Sequence, residues 1–343
     1  MNTLQPVLLL ATLAVALLKA PDCHAQPEVD TDGTLERMRA SGLFFVHSVD
    51  DTAWAILARA STDMVAPPLR SRPRSAESDV ILRSAPLAET HRGAFGHVSG
   101  GAARLAADGS TCDVRLGEPV VINLIYLDNL QNHIDESSIA NIPRAPAAVD
   151  RLLTRLSRDP DENRLDPSLW VAAPIQGACI GAVVGAVLPT RPPGVFVGEW
   201  LEGQELANAT AAYQQTAVYR DSEGERSARR EAEELVQFTA TRFTPQGAPG
   251  DMSYVFVATE YEIGCGDDGS DHHAAFTYRA STFTVLPMRA SRPYFLGDVN
   301  GDGLLEVLFR DAAGVLSLHQ LDLGTNTLTP LGTFHTQHAF LGC

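Results

Sequence analysis

Apolar residues fall in short runs broken by turn formers, a pattern that predicts more strand than helix. Leu43, Phe44, Phe45 and Val46 form a buried strand in this reading. Residues 50–60, with Trp54, Ile56 and Leu57, are too short a window for periodicity to separate helix from strand. From Gly93 the chain turns β-like over 94–105, reverses at Asp108-Gly109, alternates over 112–116 and becomes more continuously apolar over 120–127. Val149, Leu152, Leu153 and Leu156 repeat at helical spacing, so 146–158 is the clearest helix, with Pro146 in its first turn and Asp159-Pro160 ending it. A short helix over 34–39 is also expected. Residues 170–188 return to strand character, because Gly177, Gly181 and Gly185 weigh against a helix.

Thr190-Arg191-Pro192-Pro193-Gly194 is the best domain boundary. Beyond it, 202–219 and 225–237 are rich in Ala, Glu, Gln and Arg and read as helices. Residues 238–243 and 254–263 form a hairpin, 274–279 and 282–286 add two strands, and 315–321 returns after a turn at Ala312-Ala313-Gly314. The expected class is α+β, mainly antiparallel β-sheet with a few helices, in an N-terminal domain (26–189) and a C-terminal one (194–343). Pro67 to Ser78, with Arg70, Arg72 and Arg74, reads as a solvated basic linker.

Residues 7–18 are apolar but too short to span a bilayer, and Ala25 offers a small residue for cleavage, so 1–25 reads as a secretory signal peptide. A lipoprotein signal acylated at Cys23 is the alternative, and Asp22 before it fits poorly. The expected location is secreted or periplasmic, with no membrane span in the mature chain. The net charge of -16 argues against nucleic acid and anionic membrane as partners. After Lys19 every basic residue is Arg, a mark of a GC-rich bacterial genome. With Cys23 removed, Cys112, Cys179, Cys265 and Cys343 remain, an even number that allows three pairings. Sequential pairing closes one loop in each half and is preferred, each bridge contributing on the order of 4 kcal/mol.

Candidate chemistry concentrates in 296–309. Oxygen-bearing side chains recur at Asp298, Asn300 and Asp302, and Gly301 and Gly303 permit a tight curl that aims them at one centre. An oxygen-only set with three carboxylates, counting Glu306, suits a hard cation of calcium type. The loop begins like an EF-hand, but Phe309 stands where that motif needs its bidentate Glu, and the acid sits three residues earlier at Glu306. Its flanks are aromatic and aliphatic, as strands are. Asp-x-Asn-x-Asp-Gly-x-x-Glu before a buried strand resembles the calcium loop of FG-GAP or VCBS-type repeats, over about residues 294–322 and without a second copy. The resemblance implies a C-terminal calcium-loop β-hairpin holding structural calcium through Asp298, Asn300, Asp302 and Glu306, with the carbonyl of Leu304 as a backbone ligand.

A second polar cluster holds Asp267, Asp268, Asp271, His272 and His273, enough for a metal or acid-base site, although a solvated hairpin tip explains the same residues. His97-Val98-Ser99-Gly100-Gly101 lacks the first glycine of a nucleophile elbow. Asp159, Asp161, Asn163 and Asp166 lack a glycine to bend them into a cation loop, and Asn208-Ala209-Thr210 is a bare glycosylation sequon. The order of the Gly-Cys-Gly at 264–266, the acidic loop and the terminal Gly342-Cys343 is similar to that of uncharacterised exported proteins of GC-rich bacteria. That likeness supports secretion and a Cys265 to Cys343 bridge. The expectation is therefore a secreted or periplasmic calcium-stapled module that binds an unidentified protein or glycan. A secreted hydrolase working around Asp267 to His273 is the alternative.

Overall fold

The computed structural model describes residues 40–107, 110–127, 142–156, 169–177, 179, 181–187, 194–221, 237–245, 253–263, 267–269, 273–289, 293–310, 315–322 and 327–335. Its class is α+β, dominated by antiparallel sheet. The expected helix at 34–39, and that at 225–237 except for Gln237, which opens a strand, lie outside the described residues.

The first sheet contains β1 (Leu43–Val49), β2 (Thr52–Arg59), β3 (Arg70–Ser71), β4 (Val80–Pro86), β5 (Ala102–Ala107), β6 (Ser110–Leu116), β7 (Val120–Tyr126), β8 (Leu169–Gln176) and β9 (Val184–Val187). Its order is β2-β1-β9-β5-β6-β8-β7-β4-β3, and β2 also pairs with β8. That second pairing closes six strands into a barrel, leaving β7, β4 and β3 as an extension. Phe44, Val46, Ala55, Leu57, Leu105, Leu116 and Val171 form one buried cluster of the barrel. The alternate residues, Leu43, Phe45, Trp54, Ile56, Ile122 and Trp170, are buried in another. Continuous apolar runs such as 43–46 follow from having both faces covered.

The helix α1 (Glu89–Phe95) corrects the β-like reading of 94–105, because strand begins only with β5 at Ala102. Phe95 at the end of α1 and Val98 in the turn after it are both buried against the barrel cluster, so the apolar residues there serve a helix end and its turn. The helix α2 (Pro146–Leu156) lays Val149 and Leu153 on Ile81, Leu127 and Ile142. The proposed linker is also corrected at Arg70 and Ser71, which pair with Ser84 and Arg83 as β3 on the sheet edge. Cys112 and Cys179 stand at disulfide distance with Cα atoms 6.1 Å apart, while Cys265 and Cys343 lie outside the described residues. No helix among the described residues is long and apolar enough to cross a membrane.

The second sheet starts after 193, with β10 (Gly194–Trp200), the helix α3 (Gly203–Tyr213), β11 (Gln237–Pro245), β12 (Ser253–Ile263), β13 (Asp267–Gly269), β14 (His273–Arg279), β15 (Thr282–Arg289), β16 (Pro293–Asp298), β17 (Leu305–Arg310), β18 (Val315–Asp322) and β19 (Thr327–His335). Its order is β15-β14-β12-β11-β10-β16-β17-β18-β19, with β13 beside β12. Strand β10 joins the halves, reaching β11 through Phe196 to Trp200 and β16 through Gly194 and Val195. Ala209 and Tyr213 of α3 pack on Val255, Val257 and Phe276. Phe295, Val299, Leu308, Leu316, Leu318 and Phe334 share a cluster with the barrel's Phe45, Trp54 and Trp170. The two sheets therefore have a common core.

Candidate metal centre

Strands β16 and β17 pair antiparallel with Gly297 opposite Glu306 and Leu296 opposite Val307, so the loop between them is anchored at both ends. Gly301 and Gly303 have φ of 73° and 91°, the left-handed conformation that costs a side chain with a Cβ about 1 kcal/mol or more. Gly297 is required for another reason. A Cβ there would lie 2.8 Å from the Phe295 ring and 3.0 Å from the Gly194 carbonyl.

The loop's polar side chains bond back to its own main chain. Asp298 Oδ2 accepts the Gly303 N–H at 3.0 Å, Asn300 Oδ1 that of Asp302 at 3.0 Å, and Asp302 Oδ1 that of Leu304 at 2.8 Å. Glu306 Oε2 accepts the Val299 N–H at 2.7 Å. Asp302 Oδ2 receives Asn300 Nδ2 at 3.0 Å and Gln320 Nε2 at 3.1 Å. Gln320 sits on β18 directly opposite Glu306. Sequence reasoning missed it because only strand register brings it to the loop.

Two oxygens remain unsatisfied. Asp298 Oδ1 and Glu306 Oε1 are buried without a hydrogen-bond partner, and Glu306 as a whole is 0% exposed. An ionised carboxylate in that position carries a large desolvation penalty. Burial accordingly pushes the Glu306 pKa up to about 8, reinforced by the nearby Asp302 and Asp298 charges and opposed by the Val299 and Gln320 hydrogen bonds. Burial also raises Asp298, with Asp302 adding to the effect against hydrogen bonds from the Gly303, Gly301 and Asp302 main chain. The donor set fits a hard divalent cation, whose charge would offset both penalties. Among the described residues, however, no three His, Cys, Asp or Glu side chains are already gathered as a ligating group. Asp302 is turned toward Leu304, Asn300 and Gln320 rather than toward the two orphaned oxygens.

Of the other candidates, the backbone of Asp267, Asp268 and Gly269 pairs with Ile263, Glu262 and Tyr261, whereas the side chains of that cluster, and Asp271 and His272 entirely, lie outside the described residues. So do Asp159, Asp161, Asn163 and Asp166. His97 and Ser99 are exposed in the turns after α1, and Asn208 is exposed on α3, where its Oδ1 accepts Gln204 Nε2 at 3.0 Å. No known protein family, curated protein or solved structure matches the chain.

Proposed function

We propose that residues 298–306 bind calcium as a structural staple in a secreted or periplasmic protein, in the manner of the FG-GAP-type loop they resemble. The observation that carries the reading is the pair of buried carboxylate oxygens, Glu306 Oε1 and Asp298 Oδ1, that lack any partner. Such oxygens are costly unless a proton or a cation meets them. Calcium would be held by Asp298, Asn300, Asp302 and Glu306 with the Leu304 carbonyl, and Gln320 would position Asp302. The Cys112 to Cys179 pairing suits an oxidising compartment. Because the loop's side chains brace its own backbone, the role is non-catalytic, and the protein acts as an interaction module for a protein or glycan partner.

Calcium titration at pH 6.5, in two buffers of different ionisation enthalpy, tests this directly. Binding should release close to one proton, because Glu306 with a pKa of about 8 must ionise to ligate. Affinity should climb roughly tenfold per pH unit and level off near that pKa. Absence of calcium-dependent heat, or unchanged binding in an Asp298→Ala, Asp302→Ala double variant, contradicts the assignment.

A further inference from the structure

A groove of about 840 Å³ opens between β3 and α2, its walls including Arg70, Ser71, Asp150, Arg151, Thr154 and Arg155. The chain as a whole carries -16, yet cations gather here. Arg70, Arg151 and Arg155 are exposed, and Arg151 and Arg155 lie four apart on one helix, where like charges repel. Among the described residues Asp150 is the one carboxylate of the wall, and its Oδ1 is already engaged. It accepts the Ser71 N–H at 3.1 Å and hydroxyl at 2.7 Å, and Arg83 Nε stands 3.7 Å away. Thr154 donates its hydroxyl to the Asp150 carbonyl at 2.7 Å, so it bonds within its own helix.

The positive field extends behind the groove. Arg83 donates to the Leu69 carbonyl and Arg74 to those of Ser78 and Ile142, all neutral acceptors, and the carboxylate facing Arg83 is Asp150, 3.7 Å away and shared with Ser71. After burial, which lowers both pKa values, Arg70 further depresses that of Arg83 and Arg144 that of Arg74, against the opposing charges of Asp150 and Asp50 respectively. One guanidinium depresses another in this way only where the two lie close together in space. A volume of this size is that of a small-ligand site rather than of a single ion, and planar guanidinium forks match oxyanions.

We infer that this groove binds a small oxyanionic ligand, bearing a carboxylate or phosphate group, through Arg70, Arg151 and Arg155. The site is separate from the calcium loop and does not depend on it.

The test is calorimetric titration of the oxidised protein in chelator, at constant ionic strength set by chloride, with inorganic phosphate in one arm and galacturonate in the other. Saturable binding is expected in at least one arm, and the stronger arm tells a phosphorylated from a carboxylated ligand. Replacing Arg151 and Arg155 together by Ala should weaken it by about tenfold or more, as loss of charge-assisted hydrogen bonds does. Arg92→Ala, which removes a cation paired with Glu89 at 2.9 Å on α1, should leave it unchanged. Should the double variant melt early in chloride, Arg70→Ala on the strand edge serves in its place, with the same weakening expected. No saturable heat in either arm, or affinity unchanged by these arginine replacements, overturns the inference.

Discussion

Replacing Glu306 by Gln is expected to abolish the protein's response to calcium and the loss of stability that the parent shows as pH rises. In chelator at pH 9 the Glu306→Gln variant should be more stable than the parent by a few kcal/mol, and near pH 4.5 the two should be almost equal. The sign follows from a folded-state pKa of about 8, above the ordinary 4.5. A carboxyl raised in this way binds more protons folded than unfolded, so its contribution is fully present below 4.5 and is lost as pH rises through 8. The full swing is on the order of 5 kcal/mol, reduced in the variant because the new amide N–H groups also need partners. With saturating calcium the parent should regain the lost stability and the variant should not respond. Denaturant midpoints at the two pH values, with and without calcium, provide the check. A variant less stable than the parent in chelator at pH 9 would mean that Glu306 is not a strained carboxylate.

Phe334→Ala should cost about 3–5 kcal/mol, the range for truncating a buried aromatic side chain. Phe334 comes from β19 yet is 0% exposed, with its ring centroid 5.8 Å from Phe45, 5.2 Å from His47 and 5.0 Å from Trp170, all residues of the barrel. It is the clearest single contact by which the second sheet closes over the first. A structural marker accompanies the loss. Burial holds the His47 pKa down to about 4 against the opposing Asp79 charge, and its Nε2 lies 3.4 Å from the Tyr126 hydroxyl. Removing the Phe334 ring should admit water and move the His47 titration toward 6.5, measurable by NMR. A loss below about 1 kcal/mol with His47 unmoved would show that the two sheets do not depend on this contact.

The strands most legible in the sequence are those buried on both faces, such as β1 and β7, because continuous apolar residues survive any error in register. Strand β4 was missed because Arg83 and Ser84 interrupt its apolar run, and the Arg83 guanidinium reaches the Leu69 carbonyl instead of water. Strand β19 was missed because Pro330 argues against a strand. The register shifts at that point, with His319 opposite Pro330 and Leu318 opposite Gly332, so a bulge accommodates the proline. Barrel closure depends on β2 meeting β8 across more than a hundred residues, which no local pattern encodes. In the candidate centre, the alternating oxygens and the two left-handed glycines could be read directly. The burial of Glu306 and the arrival of Gln320 could not, since both follow from the pairing of β17 with β18.

Thermal unfolding of the oxidised protein in 1 mM free calcium and in chelator tests the calcium staple most directly. For a site of extracellular type binding at about 0.1 mM, linkage gives roughly 1.4 kcal/mol of stabilisation, a rise of a few degrees for a chain of this size. That rise should disappear in Asp302→Ala. Identical melting in calcium and chelator would contradict the account and leave residues 298–306 as an acidic turn.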